Sequence, residues 1–208
     1  MEKNNENDFN ILVIDNTYNE FQIEEIWKEL NFLTNSDILL SSDKTFSATS
    51  AEGEILKSNL ALFLFEFYSE PWKSPIVKYT SEQIFNQKVI QEYTRLNSLN
   101  EFFARTNNHS TLLNYYENDG KYEFHRDRSL YTSVTYLFKE PKSFSGGEIT
   151  FRNNEQYKTF DIKNNMSIIF PSFYEHAVSP VSMNIDSSGF STMGRYCITQ
   201  FVYMELGK

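Results

Sequence analysis

The alternation of apolar and polar positions changes character near residue 110. Upstream the period is helical. After a plausible strand, FNILVID at 9–15, Asn16 or Thr17 supplies an N-cap for an amphipathic helix through FQIEEIWKELNFL, with apolar residues at Phe21, Ile23, Ile26, Trp27, Leu30 and Phe32. Its aromatic side chains are expected to pack on a sheet. LALFLFEFY, 60–68, is an apolar run compatible with a buried strand or with part of a helix. Pro71 and Pro75 interrupt it, and 80–107 reads as one long or two short helices, capped at Thr80 or Ser81 and again around Ser98. From residue 110 the period becomes that of strands. STLLNYY, KYEFHRD, LYTSVTYLF, GEITF, YKTFDI, MSIIFP, HAVSPV and RYCITQFVYM are short runs with turn residues between them, the spacing of an all-β sandwich or barrel. The pattern predicts a mainly β protein with flanking α: a jelly-roll core over 110–204, buttressed by a helical support region over 9–109.

Composition narrows the class. With 208 residues, 40% hydrophobic and 16% aromatic, the chain suits one domain with a sizeable core. The net charge of −9 argues against a broad phosphate-binding surface, so nucleic acid is disfavoured as a partner. The lone cysteine, Cys197, excludes an internal disulfide and reads as a buried small side chain. MEKNNENDF has neither the basic nor the apolar region of a secretory signal, and no apolar stretch is long enough to span a bilayer. The expectation is a soluble, cytoplasmic protein with no membrane partner; the oligomeric state is not legible. Residues 1–8 read as disordered, and the Ser-, Thr-, Asp- and Gly-rich segment 34–59 as a loop that either covers a substrate or merely decorates the surface.

The chemistry centres on YYENDGKYEFHRD. In an extended strand, residues i and i+2 share a face, so His125 and Asp127 can converge on one point. The third ligand is expected at His176, which follows the apolar run SIIFP. Two histidines and one carboxylate on one face of an octahedron leave open positions opposite, the arrangement of non-haem Fe(II) sites that bind a cosubstrate and O₂. Arg126, between the ligands, is expected on the opposite face, His109 in an exposed loop, and Gly146 and Gly147 in a tight turn or bulge.

From about Leu112 to Tyr203 the sequence resembles the 2-oxoglutarate and Fe(II)-dependent dioxygenases, and among them the prolyl 4-hydroxylase-like group. The resemblance rests on Tyr116, Gly120, Tyr122, His125 and Asp127, then the Gly146–Gly147 pair, the distal His176 and a basic residue on the last strand, Arg195 in RYCITQF. One departure is the nineteen-residue step from His176 to Arg195, longer than the family's usual spacing; SMNIDSSGFSTMG reads as a loop inserted there. The resemblance implies a double-stranded β-helix. It implies Fe(II) on His125, Asp127 and His176, and 2-oxoglutarate and O₂ as cosubstrates, with ascorbate as a supporting reductant. It also places the far carboxylate of 2-oxoglutarate on Arg195, with Tyr116 and Thr135 helping to hold it. Tyr122 and Phe201 are implied as pocket wall, and Arg128 as a residue at the mouth able to hold a carboxylate-bearing substrate. The presence of Asp127, where related halogenases carry a small residue, favours hydroxylation. The expected substrate is a prolyl residue in a peptide or protein, a free amino acid or another small molecule. Two further readings share parts of this pattern: an oxidative nucleic-acid base demethylase, and a non-catalytic jelly-roll binding module.

Overall fold

The computed structural model describes residues 9–183 and 193–205. Among these, strands and helices follow in the order β1 Leu12–Ile14, α1 Glu20–Asn35, β2 Leu40–Ser41, β3 Lys57–Ser58, β4 Leu60–Phe63, α2 Leu64–Phe67, α3 Pro75–Ile84, α4 Gln87–Leu96, β5 Asn108–Tyr116, β6 Lys121–His125, β7 Tyr131–Leu137, β8 Phe144–Gly146, β9 Ile149–Asn153, β10 Gln156–Phe160, β11 Met166–Pro171, β12 Glu175–Val178, β13 Val181–Met183 and β14 Arg195–Tyr203. Short 3₁₀ segments follow β2, precede α3 and follow α4.

The strands form a seven-stranded sheet, ordered β1-β11-β7-β14-β5-β4-β2, and a five-stranded sheet, ordered β10-β9-β12-β6-β3, with the pair β13-β8 beside them. Every pairing in the two larger sheets is antiparallel. The two sheets enclose one core, in which Val134, Ile168 and Phe170 from the large sheet meet Ile149, Phe151 and Val178 from the small one. The other face of the large sheet carries Leu113, Leu137, Tyr196 and Ile198, packed against Ile26, Leu30 and Leu33 of α1 and Ile76 of α3. Further along that face, Tyr131, Ile169 and Val202 meet Ile84, Tyr93 and Phe103. The period-two alternation of β5, β7 and β14 therefore feeds two cores at once, one closed by helices and one closed by a second sheet.

Local chemistry explains the boundaries. Helix α1 starts one turn later than expected because Asn19, not Asn16 or Thr17, caps it: Gln22 N–H donates to Asn19 Oδ1 and Asn19 N–H to Gln22 Oε1, a reciprocal capping box. Only part of its aromatic content is core. Trp27 meets Tyr196 edge-on at 5.5 Å, whereas Phe21 and Phe32 face outward. LALFLFEFY splits into a strand and a helical turn, β4 then α2. Pro75 starts α3 instead of breaking it, because proline suits the first helical turn and Ser74 caps it from the preceding position. Asn86 and Asn97 cap the next two helical segments. The tail 1–8 lies outside the described residues, as do residues 184–192 of the expected insertion SMNIDSSGFSTMG.

Candidate active site

His125 is the last residue of β6 and sits directly opposite His176 of β12 in the antiparallel register, so the small sheet alone brings the two rings to a centroid distance of 4.2 Å. Asp127 lies two residues beyond β6. Its Oδ1 is 3.7 Å from His125 Nε2 and its Oδ2 is 3.5 Å from His176 Nε2. One ligand atom from each of the three residues falls within 4.8 Å of the others, a group that can hold one metal ion.

The surroundings set these groups in the form a metal needs. Both imidazoles donate from Nδ1 to backbone carbonyls, His125 to Glu123 O at 2.9 Å and His176 to Tyr174 O at 3.0 Å, which leaves each Nε2 as a lone pair facing the centre. Burial, followed by the neighbouring His176, pushes the His125 pKa well below its ordinary value and keeps it neutral. Thr132 Oγ1 donates to Asp127 Oδ2 at 2.6 Å and is itself 2.8 Å from Ser172 Oγ, which is 2.7 Å from Ser129 Oγ. This hydroxyl chain fixes the carboxylate's orientation. Between Tyr122 and His125, β6 carries one residue more than the β12 segment it pairs with, a β-bulge. The bulge brings residues i and i+3 together, and the Tyr122 ring stacks on His125 at 3.4 Å.

The three residues line a cavity of about 680 Å³ between the sheets. At its inner wall lies Arg195, the first residue of β14 and fully buried. Its guanidinium is stacked between the Tyr116 and Tyr136 rings, 4.7 and 4.9 Å from their centroids, yet none of its three nitrogens has a hydrogen-bond partner among the described residues. A buried charge without a hydrogen-bonding counterpart costs on the order of several kcal/mol, so this wall is built for an anion. The Tyr136 hydroxyl is likewise buried and unpartnered, and burial raises its pKa so that it stays a donor. Gly147 makes room for the arginine. Its φ is +75°, and a Cβ there would lie 2.7 Å from Arg195 Cδ.

Of the residues expected at the site, His125, Asp127, His176, Arg195, Tyr116, Tyr122, Phe201 and Arg128 all line this cavity, Arg128 at its exposed rim. Thr135 does not. On β7 the side chains facing the cavity are Thr132, Val134 and Tyr136, so alternation turns Thr135 to the helix side, where its Oγ1 is 2.7 Å from Ser167 Oγ. His109 is also corrected. It lies on β5 within hydrogen-bonding distance of Thr111, and its ring is 5.9 Å from that of Phe85. Among the polar cavity residues that were not foreseen are Tyr136, Asn114 and Lys57. Of these, Asn114 and Tyr136 had a sequence signal, since they fall on the cavity-facing phase of β5 and β7 once Tyr116 and Val134 are placed there, whereas Lys57 had none. Residues Thr45–Thr49 of the long loop also line the cavity, and Ala48 N–H donates to the Tyr122 hydroxyl at 3.0 Å.

Residues 111–203 match the 2OG-Fe(II) oxygenase superfamily model. No curated protein sequence matches the chain significantly. Among solved structures the chain is similar to a prolyl hydroxylase from Trichoplax adhaerens in complex with a hypoxia inducible factor oxygen degradation domain peptide fragment, at 15% identity and a TM-score of 0.65, covering 95% of this chain and 84% of that one. It is similar to a Pseudomonas putida prolyl-4-hydroxylase at 10% identity and a TM-score of 0.61, covering 95% and 94%. At such identities the likeness establishes the fold, here the double-stranded β-helix with its helical buttress. The paired histidines and carboxylate suit Fe(II), and the orphaned guanidinium suits a dicarboxylate reaching away from it. Fold, donor set and sequence match converge: residues 111–203 are similar to the 2OG-Fe(II) oxygenase superfamily, on a fold shared with prolyl hydroxylases, and the site they build has the residues to hold Fe(II) and a dicarboxylate.

Proposed function

We propose that the enzyme hydroxylates an unactivated C–H of a prolyl residue in a peptide or protein, or of a free amino acid. The balance is that substrate C–H, 2-oxoglutarate and O₂ become substrate C–OH, succinate and CO₂. When bound, Fe(II) and 2-oxoglutarate supply the oxidising power, one oxygen atom of O₂ ending in succinate and the other in the substrate hydroxyl.

The chain's own residues bind and orient. In this reading His125, Asp127 and His176 hold the metal from one side, each oriented by a partner: the carbonyls of Glu123 and Tyr174, which also select the imidazole tautomers, and Thr132 for the carboxylate. Arg195, with the Tyr136 hydroxyl beside it, takes the far carboxylate of 2-oxoglutarate, and the ring of Tyr116 seats the guanidinium. Tyr122 walls the metal on the β6 side. Thr45–Thr49, tied to Tyr122 through Ala48, closes the mouth over the substrate together with Phe201 and Arg128. Such positioning is most of what the protein contributes to a reaction whose chemistry its cofactors carry.

The observation that carries this reading is the unpartnered guanidinium of Arg195 in the same cavity as the convergent triad. The peptide bound to the Trichoplax adhaerens structure supports a peptide substrate. The test is succinate formation by the purified chain with Fe(II), 2-oxoglutarate and ascorbate, together with a mass gain of one oxygen on members of peptide and amino-acid pools. Both should vanish in Asp127→Ala. Iron binding with no succinate at all would instead make the chain a binding module.

A further inference from the structure

The cavity holds a second buried cation that the cosubstrate does not use. Lys57 projects from β3, the edge strand of the small sheet, and is 7% exposed. Its Nζ donates to Asn114 Oδ1 at 2.6 Å and sits 5.3 Å from the centroid of the Tyr122 ring, the ring that stacks on His125. No carboxylate lies within ion-pairing distance of it among the described residues. Asn114 Oδ1 is already shared with Asn59 Nδ2 at 3.0 Å, so a neutral, doubly used amide is the lysine's hydrogen-bond acceptor.

The chain as a whole carries a net charge of −9, but its cavity is the reverse. The cationic side chains lining it are Lys57, Arg126, Arg128 and Arg195, and the carboxylate lining it is Asp127. Arg126 and Arg128 are solvent-exposed, and Arg126 lies 3.8 Å from Glu175. Of the buried charges, Arg195 and a divalent metal are offset by Asp127 and the two carboxylates of 2-oxoglutarate. Lys57 is left over.

Resting on the dioxygenase reading above, we propose that Lys57 is a specificity-determining residue that takes a carboxylate of the prime substrate, so that the enzyme selects carboxylate-bearing substrates over their amides. The carboxylate displaces nothing; it completes the coordination of an ammonium group whose hydrogen-bond acceptor is a neutral amide and which lies over the face of the Tyr122 ring. A carboxylate drawn to this wall lies beside the ring that abuts His125, which brings the neighbouring carbons of the substrate to the metal. The carboxylate has two possible sources, the α-carboxylate of a free amino acid or an acidic side chain next to the target residue in a peptide.

The test is calorimetric and independent of turnover. The full chain, loaded with Zn(II) as a redox-inert substitute and with 2-oxoglutarate, is titrated with free L-amino acids and their amides, and with acetylated, amidated dipeptides in which Glu or Asp precedes Pro, each against its Gln or Asn counterpart. Wild type is expected to favour the acids in one of the two arms by about tenfold or more, the size of a charge-assisted hydrogen bond; which arm responds identifies the source. Lys57→Met should abolish the preference, Lys57→Arg should keep it, and the affinity of both variants for 2-oxoglutarate alone should stay within about twofold of wild type. The proposal is overturned if no acid is favoured over its amide, if the preference survives in Lys57→Met, or if Lys57→Met weakens 2-oxoglutarate binding instead. Absence of succinate with Fe(II) in the wild type would refute the reaction and leave this binding result standing on its own.

Discussion

The two faces of strand β14 are made by alternate residues of one nine-residue run and are about equally buried, yet they have opposite characters. Toward the helices it presents Tyr196, Ile198 and Val202, closed by α1 and α3 on one stretch and by α4 and its neighbours on the other. Toward the second sheet it presents Arg195, Cys197, Thr199 and Phe201, which line open space. The helix face has unpartnered groups of its own, Gln200 and Ser133, directly paired in the β14–β7 register, but these are neutral. The cavity face leaves a full charge without a hydrogen bond. Along β14 itself the helix-facing residues contribute packing and the cavity-facing Arg195 contributes binding potential, and substitutions in this strand should separate the two.

The largest effect belongs to the triad. His125→Ala or Asp127→Ala should abolish succinate formation and metal binding while circular dichroism and the melting temperature stay close to wild type, because neither side chain holds the sheets together. Arg195→Met should raise the 2-oxoglutarate KM by about 30- to 1000-fold, the loss of a charge-assisted bidentate contact worth roughly 2–4 kcal/mol. The same variant should stabilise the cosubstrate-free protein by about 1–4 kcal/mol in denaturant unfolding, since an uncompensated buried charge gives way to an apolar side chain of similar length. Ile198→Ala, three positions along on the other face, should do the opposite: a loss of about 2–5 kcal/mol in the same unfolding experiment, with metal affinity and 2-oxoglutarate KM unchanged in the folded fraction. An Arg195→Met variant that lost stability, or an Ile198→Ala variant that weakened 2-oxoglutarate binding in the folded fraction, would collapse the distinction.

Smaller effects sharpen it. Gly147→Ala forces a left-handed backbone on a residue with a side chain and pushes a Cβ against Arg195, so it should cost about 1–3 kcal/mol and raise the 2-oxoglutarate KM several-fold, linking backbone strain to the anion wall. The smallest effect is the pH dependence set by Lys57. Burial lowers its pKa from 10.5 to about 8, against the raising influence of Cys197 and Asp127 on the neighbouring elements. Between those two values the unfolded chain binds a proton that the folded chain does not, so stability should rise with pH across that window, by at most about 3 kcal/mol. Unfolding free energies at both ends of the window, compared with Lys57→Met, measure the contribution; an identical pH slope in the variant would remove it.

Much of the site was legible because its chemistry is local. His125 and Asp127 sit two apart, and His176 and Arg195 each end or begin an apolar run, so type and spacing pointed to them before any contact was known. The eight downstream runs became strands, two of them accompanied by an additional short strand, β8 and β13, because period-two patterning is what a two-faced sheet requires. Thr135 was misplaced for a complementary reason. Alternation fixes which residues share a face, and only the register with β14 and the packing of α1 fix which face is the cavity.

Lys57 marks the limit of such reading most clearly. In sequence it is a lysine in a loop-like segment; its burial depends on β3 pairing with β6, opposite Tyr122, more than sixty residues away. The amino-acid sequence by itself determined the ligand types, the strand phase and the residues able to carry charge, because side-chain chemistry and backbone periodicity are properties of the chain. The tertiary structure alone decided that a bulge in β6 stacks Tyr122 on His125, that Tyr136 and not Thr135 flanks Arg195, and that two buried cations share one cavity. Those outcomes follow from strand register and sheet packing, which couple residues far apart and leave no periodic trace along the sequence.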